Sequence, residues 1–258
     1  MPYQVEAFGL TDTGLVRQNN EDVWAELPEL RFYVLADGMG GHRAGEIAAQ
    51  KAVDTLCDMV KQMVASEKNT LTLEESREMI AHAIEVTNGV VYDMGSKNPE
   101  LHGMGTTLCC VHFHRDGLIY AHVGDSRIYR LREEKLDQMT KDHSLLREMV
   151  ELGQIEDLYA EDFQYKNIIT KAIGTEPFVE PTVQTSDLAH GDVYLICSDG
   201  LSDLLCREEI KITIDNAKTI KDAGKQLVEL AIKKGGHDNV TVVMLEVLEC
   251  ADGENISR

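Results

Sequence analysis

Twice in this chain a short, wholly apolar run stops on Asp-Gly, and that repetition limits what the chain can fold into more than any other feature. Phe32 to Ala36 mixes aromatic and β-branched residues and is followed by Asp37-Gly38; Val193 to Cys197 is followed by Ser198-Asp199-Gly200. Runs so short and so apolar predict buried strands. A carboxylate at the end of a buried strand, beside a glycine that another backbone can approach, makes an oxygen-rich corner. One Asp-Gly would be only the commonest of turn signals. Two, each delivered by a buried strand, predict carboxylates converging on one hard cation or on two.

The hydrophobic period divides the rest of the chain. Val5 to Gly9 and Val23 to Ala25 read as strands. After Gly41, residues Ala44, Ala48, Ala52, Leu56, Met59 and Met63 recur at helical spacing. A second helix is predicted from Thr72, whose partner Glu75 completes a capping box, to Gly95. From Thr106 to Met139 the period falls to two, predicting a meander through Thr107 to His114, Leu118 to Val123 and Ile128 to Leu131. Residues 140–175 carry one helical patch and then acidic, weakly periodic sequence, as expected of a flap inserted between strands. Strands return at Pro181 to Leu188 and Asn239 to Leu248, with helices predicted at Arg207 to Ile214 and Thr219 to Lys234. No linker or repeat interrupts this order, so residues 1–250 are expected to form one domain, with 251–258 as a tail. The expected class is α+β: a four-layer α-β-β-α sandwich, two antiparallel sheets flanked by helices.

Charge and cysteines narrow the function. A net charge of −20 argues against nucleic acid and anionic membranes, which require basic patches. No signal-peptide pattern or membrane-length apolar run is present, so a cytoplasmic protein is expected. The six cysteines form no Cys-x-x-Cys pair and are expected to be reduced and mostly buried. The acids are more telling. Asp22 precedes a strand, Asp37 and Asp199 close strands, and Asp238 lies just before the last one. Taken singly, each reads as a turn residue. Crowded together, such carboxylates require a proton or a cation between them, and hard oxygen donors select Mg²⁺ or Mn²⁺ over Zn²⁺.

RQNNED (Arg17 to Asp22), ADGMGGH (Ala36 to His42), GMGTT (Gly103 to Thr107), VGDSRIY (Val123 to Tyr129), TKDHS (Thr140 to Ser144), CSDGLSDLL (Cys197 to Leu205) and DNVTVV (Asp238 to Val243) follow one another in order. Together they resemble the motifs of the PPM family, the metal-dependent protein Ser/Thr phosphatases of the protein phosphatase 2C type, and the DGMGGH form resembles its bacterial branch. The resemblance implies a β-sandwich flanked by helices. It implies hydrolysis of phosphoserine and phosphothreonine by attack of a hydroxide bridging two Mn²⁺ or Mg²⁺ ions, with room for a third, weaker ion. Asp37 would bridge the two ions, Asp199 and Asp238 would hold the first, and the carbonyl of Gly38 the second. Asp22, with Glu21 nearby, would act through metal-bound waters, and Arg17 would clamp the phosphate. The position of a proposed catalytic His in eukaryotic relatives is Met39 here, which leaves His42 or a metal-bound water as the general acid. Asp125 and Asp203 match ligands of the further ion; for Asp125 a turn anchor paired with Arg127 is the alternative. The implied partners are phosphorylated proteins, a Ser/Thr kinase of the same cell and its targets among them, with the enzyme acting as a monomer.

Two other constellations are weaker. Cys109 and Arg115 have the spacing of cysteine-dependent phosphatases, yet the intervening residues contain no glycine and alternate as a strand, where a phosphate cradle needs a glycine-rich loop. His112 and His114 share one strand face without a third ligand nearby, and a solvated face is expected. Two further readings stay open: a regulatory phosphoprotein-binding homologue without turnover, which would be expected to lack one of the aspartates or Arg17, and a phosphatase of an anti-sigma-factor antagonist.

Overall fold

Phe32–Met39 (β3) shows no alternation because neither of its faces meets water. In the computed structural model, which describes residues 3–39, 43–66, 71–155 and 168–249, Phe32, Val34 and Ala36 face a helical layer while Tyr33 and Leu35 face a second sheet. β3 lies in a six-stranded sheet between Asp22–Leu27 (β2) and Leu108–His114 (β5). Gly117–Val123 (β6) and Thr182–Ser186 (β9) extend that sheet, and the two-residue Gly105–Thr106 (β4) pairs with the end of β3. The facing sheet has five strands in the order Tyr3–Asp12 (β1), Val240–Glu249 (β11), Val193–Cys197 (β10), Arg127–Arg132 (β7) and Lys135–Gln138 (β8). Every pairing in both sheets is antiparallel.

Helices Arg43–Ser66 (α1) and Leu73–Lys97 (α2) cover the six-stranded sheet. Arg207–Asn216 (α5) and Ile220–Lys233 (α6) cover the other. The four-layer order is therefore the expected one. Between the sheets, Tyr33, Phe113 and Tyr194 stack edge to face, with ring centroids 6.0 Å and 5.6 Å apart. Burying each such ring is worth about 1.5–3 kcal/mol, so this layer is a principal source of stability. The capping box predicted for α2 is present, with Glu75 N donating to Thr72 Oγ1 and Thr72 N to Glu75 Oε2. Thr219 caps α6 in the same manner, accepting from Asp222 N at 3.1 Å.

Three expectations are corrected. The helix α2 does not end at Gly95 but runs on to Lys97. A Cβ at Gly95 would lie 3.2 Å from Leu101 O and 3.3 Å from Met104 Cγ, so this glycine serves close packing. The meander is two hairpins in different sheets: β5 pairs with β6, and after Gly124 (φ +104°) the chain crosses to pair β7 with β8. Period-two patterning reports which residues share a face, not which strand is the neighbour. Finally, the strand face carrying His112 and His114 is packed, not solvated. His114 is buried and its Nε2 lies 3.1 Å from Leu71 O, while burial depresses the His112 imidazole to about 4.

The predicted flap begins with Leu145–Glu151 (α3), and isolated bridges Ser144–Ile169 and Thr106–Ile173 tie its two ends back to the body. Residues 156–167 of the flap and the predicted tail at 251–258 lie outside the described residues. Among the described residues no helix is long and apolar enough to cross a membrane.

Candidate metal centre

The two Asp-Gly corners meet at one end of the sandwich. Asp22 and Asp37 are opposed in the antiparallel register of β2 and β3. Asp22 Oδ2 reaches across to the other sheet, accepting from Ser198 Oγ at 2.8 Å and Thr241 Oγ1 at 2.6 Å. One buried carboxylate thus ties the sheets together. Its other oxygen, Oδ1, is buried without a hydrogen-bond partner. Burial, set against those two hydroxyls, pushes the Asp22 carboxyl up to about 6.

Asp37 is held by its backbone. Its N–H donates to Thr107 Oγ1 at 3.0 Å, and its carbonyl accepts from Thr107 N and from Thr106 Oγ1, each at 2.8 Å. The GMGTT segment is therefore a splint for Asp37. Gly38 is required by crowding: a Cβ there would come 2.3 Å from Gly45 O, at the start of α1, and 2.8 Å from Glu21 O. A Cβ on Gly45 would in turn meet the Glu21 carboxylate. Glu21, Gly38 and the first turn of α1 form one tight corner.

Asp199 opens the short helical turn Asp199–Ser202 (α4) directly after β10. A Cβ on Gly200 would overlap Asn239 O, so only glycine lets the Asp238-Asn239 loop close over Asp199. Asn239 organises that loop. Its Oδ1 accepts from Glu21 N at 2.8 Å, and its Nδ2 donates to Thr13 O and Asn19 O, each at 2.9 Å. Arg17 Nη2 lies on the same loop, donating to Asp238 Oδ2 at 2.6 Å.

Electrostatics shows how close the acids are. Burial drives the Asp37 carboxyl well above its ordinary value, and the charges of Asp22, Asp199, Asp125 and Asp238 push it further. Asp199 is raised in the same way, by burial and then by Asp125, Asp203, Asp238 and Asp22. Asp125 follows β6 with Oδ1 buried and unpartnered, and burial together with Asp142 and Asp203 lifts it to about 7. The alternative for Asp125, a turn anchor paired with Arg127, is not seen as a hydrogen bond, and Asp125 Oδ1 is without a partner. Arg127 grips Asp142 instead, with Nε at 3.0 Å and Nη2 at 2.7 Å from Oδ2. Asp203 stands one helical turn from Asp199, its N–H donating to Asp199 O at 2.8 Å. A cleft of about 670 Å³ adjoins these acids, lined by Asp125, Asp142, Asp199, Asp203, Arg207 and Lys234 among others.

The donor chemistry fits a hard divalent cation: carboxylates from both sheets, two of them with orphaned buried oxygens, and no thiolate or imidazole among them. Among the described residues, no three such side chains converge tightly enough to hold an ion as they stand. Arg17 is drawn onto Asp238, and the remaining acids repel one another. His42 lies outside the described residues. Cys109 is buried in the interlayer, its thiol donating to Ser126 O at 3.0 Å and pushed well above its ordinary pKa by burial. That is the opposite of an activated nucleophile. The positioning residues Thr107, Asn239, Ser198 and Thr241 were not singled out from the sequence, although each adjoins or lies inside a motif that was.

The family profile of protein phosphatase 2C matches residues 12–239 of this chain. The chain is similar to the protein phosphatase PhpP of Streptococcus pneumoniae, 38% identical over 243 residues, covering 93% of this chain and 96% of the relative. It is also similar to the serine/threonine phosphatase stp of Listeria innocua, 34% identical over 239 residues, covering 92% and 93%. Among solved structures, the Mycobacterium tuberculosis serine/threonine phosphatase PstP/Ppp superposes with a TM-score of 0.86 at 35% identity over 95% of this chain and 99% of that one. The catalytic domain of PstP in complex with two manganese ions superposes with a TM-score of 0.83 at 35% identity, covering 96% and 100%.

Proposed function

Since the chain belongs to the protein phosphatase 2C family and is a metal-dependent protein serine/threonine phosphatase, we propose that the aspartate cluster between its two sheets is the catalytic centre. The observation that carries this assignment is their convergence: the charges of neighbouring aspartates, Asp238 among them, help raise the carboxyls of Asp22, Asp37 and Asp199. In this reading Asp37, Asp199, Asp238 and the Gly38 carbonyl would hold two Mn²⁺ or Mg²⁺ ions. Asp125 and Asp203 would hold a weaker third. When bound, the ions supply an acidified water and positive charge against the phosphoryl oxygens.

The chain's own residues do the rest. Asp22 and Glu21 orient water at the edge of the site. Arg17 swings its planar fork from Asp238 onto two phosphoryl oxygens as the substrate arrives, a geometry that an ammonium does not reproduce. Thr106 and Thr107 hold the Asp37 backbone against displacement, and Asn239 fixes the loops that carry Arg17 and Asp238. The leaving alkoxide takes its proton from water at the Asp125 end or from His42. Residues 1–250 act as one phosphatase domain with a flap at 140–175, whose Asp142, Ser144 and Leu146 line the cleft. A serine/threonine kinase and its targets as substrates and a monomeric state enter the proposal from the family resemblance, and the cytoplasmic location expected from the sequence is part of it.

The purified protein should hydrolyse a phosphothreonine peptide and p-nitrophenyl phosphate with Mn²⁺ or Mg²⁺. It should lose both activities in EDTA and keep both after iodoacetamide, since Cys109 is buried and protonated. Activity that survives EDTA and dies with iodoacetamide would overturn the assignment.

A further inference from the structure

The loop that carries Arg17 also displays two aliphatic side chains that nothing covers: Leu15 is 68% exposed and Val16 64%. Few large apolar side chains among the described residues stand out this far, and these two are consecutive and immediately precede the phosphate clamp. Scattered single exposed apolar residues need no explanation. A pair on a rigid loop beside an active site does.

The loop is rigid by construction. Gly14 N donates to Asp12 Oδ1 at 2.8 Å, and Gly14 itself has φ +79°. A Cβ on Gly14 would come 2.3 Å from Asp238 O and 2.8 Å from Gly236 O. Leu15 N donates to Gly236 O at 2.8 Å, and Asn239 holds the carbonyls of Thr13 and Asn19 on either side. The long-range anchors, Gly236 and Asn239, are on the loop that carries Asp238. Leu15 and Val16 are therefore held at a fixed distance from the catalytic acids, and no motion of the loop alone hides them.

We propose that Leu15 and Val16 form an apolar platform that reads a hydrophobic side chain flanking the phosphorylated residue, so that the preferred substrate is a phosphopeptide with an aliphatic or aromatic neighbour. The occupant follows from continuity with the phosphate site. Two residues of chain span about 7 Å at most, so a phosphate on Arg17 brings only the first or second neighbour of the phosphoresidue over the platform. Charge points the same way. The chain carries a net charge of −20, and an uncharged patch next to the cationic Arg17 can hold a peptide without adding to the repulsion of an acidic one. Because the platform is preformed, little ordering opposes its use.

This inference rests on the phosphatase reading and is tested separately from it. A set of phosphothreonine peptides, identical except for Leu or Ser at each of the two positions on either side of the phosphothreonine, is assayed beside p-nitrophenyl phosphate. At one or more positions the Leu peptide should show about a five- to ten-fold higher kcat/KM, the order expected for half-burying one aliphatic side chain. The difference should lie in KM. In Leu15→Ser/Val16→Ser the preference should fall below about two-fold, and Leu15→Met/Val16→Ile should restore it, the restoration separating a contact surface from a merely structural role. Wild-type turnover of p-nitrophenyl phosphate with equal kinetics on Leu and Ser peptides overturns the platform alone. So does a preference that persists in the double Ser variant, or a loss that is the same on peptides and p-nitrophenyl phosphate. No turnover of any substrate sinks the phosphatase reading and the platform with it.

Discussion

Replacing Asp22 by Asn should make the metal-free protein more stable and the metal-loaded protein less so. Asp22 keeps one oxygen for Ser198 and Thr241 in either form, so the substitution removes charge and leaves the tie between the sheets. Its carboxyl moves from an ordinary 3.8 to about 6 in the fold. At about 1.4 kcal/mol for each pH unit, the ionised form destabilises the fold by about 3 kcal/mol. The sign follows from linkage: the folded state holds the proton more tightly than the unfolded chain. Stability is therefore complete below the ordinary value and is lost as pH rises through 6. The amide places a donor where Oδ1 has no partner, which takes back about 1 kcal/mol. A net gain of about 2 kcal/mol should raise the melting temperature by about 4–8 °C for a chain of this size. The assay is thermal melting in EDTA at about pH 8 and again at about pH 5, where roughly half of the ionisation penalty remains. With saturating Mn²⁺ the order should reverse, because the wild type gains more from the ion. An Asn variant no more stable than wild type near pH 8 in EDTA, or one whose advantage is undiminished near pH 5, would refute the account of Asp22 as a strained, ionised carboxylate.

Arg17→Ala should raise KM for a phosphopeptide about ten-fold. It should also tighten Mn²⁺ binding a few-fold at most, because it frees Asp238 from an ion pair that is itself half exposed; calorimetry reads the second effect, and equal kinetics for Lys and Arg at this position would remove the bidentate clamp. Asp125→Ala should keep the two tight ions yet lose more turnover on phosphopeptide than on p-nitrophenyl phosphate, whose phenolate leaves without a proton, and an equal loss on both would assign Asp125 to structure. Asn239→Ala strands Glu21 N, Thr13 O and Asn19 O and should cost about 2–4 kcal/mol in urea unfolding, whereas a loss under about 1 kcal/mol would show that the loops hold without it.

The sequence exposes features that local chemistry dictates and hides those that depend on distance. The strands β3 and β10 and the caps Thr72 and Thr219 were legible because apolar runs and caps act over a few residues. The crossing at Gly124 was not, since the same alternation suits a strand in either sheet. The acids were legible as a set because each closes or opens a buried strand. The pairing of Arg127 with Asp142, in place of Asp125, was not, because it joins two motifs only after TKDHS folds back on VGDSR, with His143 N donating to Gly124 O at 2.9 Å. Nor was the work of Asn239, whose three bonds go to residues more than 200 positions away.

The pairing of β1 with β11, which runs from Tyr3 opposite Glu249 to Asp12 opposite Val240, bears on how the enzyme is made. A chain emerging from the ribosome has Arg17, Asp22 and Asp37 early and Asp199 late, but β1 has no partner until residue 249 is out. At about 5–20 residues per second, the first strand waits on the order of ten to fifty seconds for the last. During that interval the loop of Arg17 lacks its long-range anchors, Gly236, Asp238 and Asn239. Contacts of such long sequence separation also form slowly once the chain is free. Catalytic competence is therefore expected only after β11 has emerged, and a chain truncated before β11 should strip no phosphate from its neighbours.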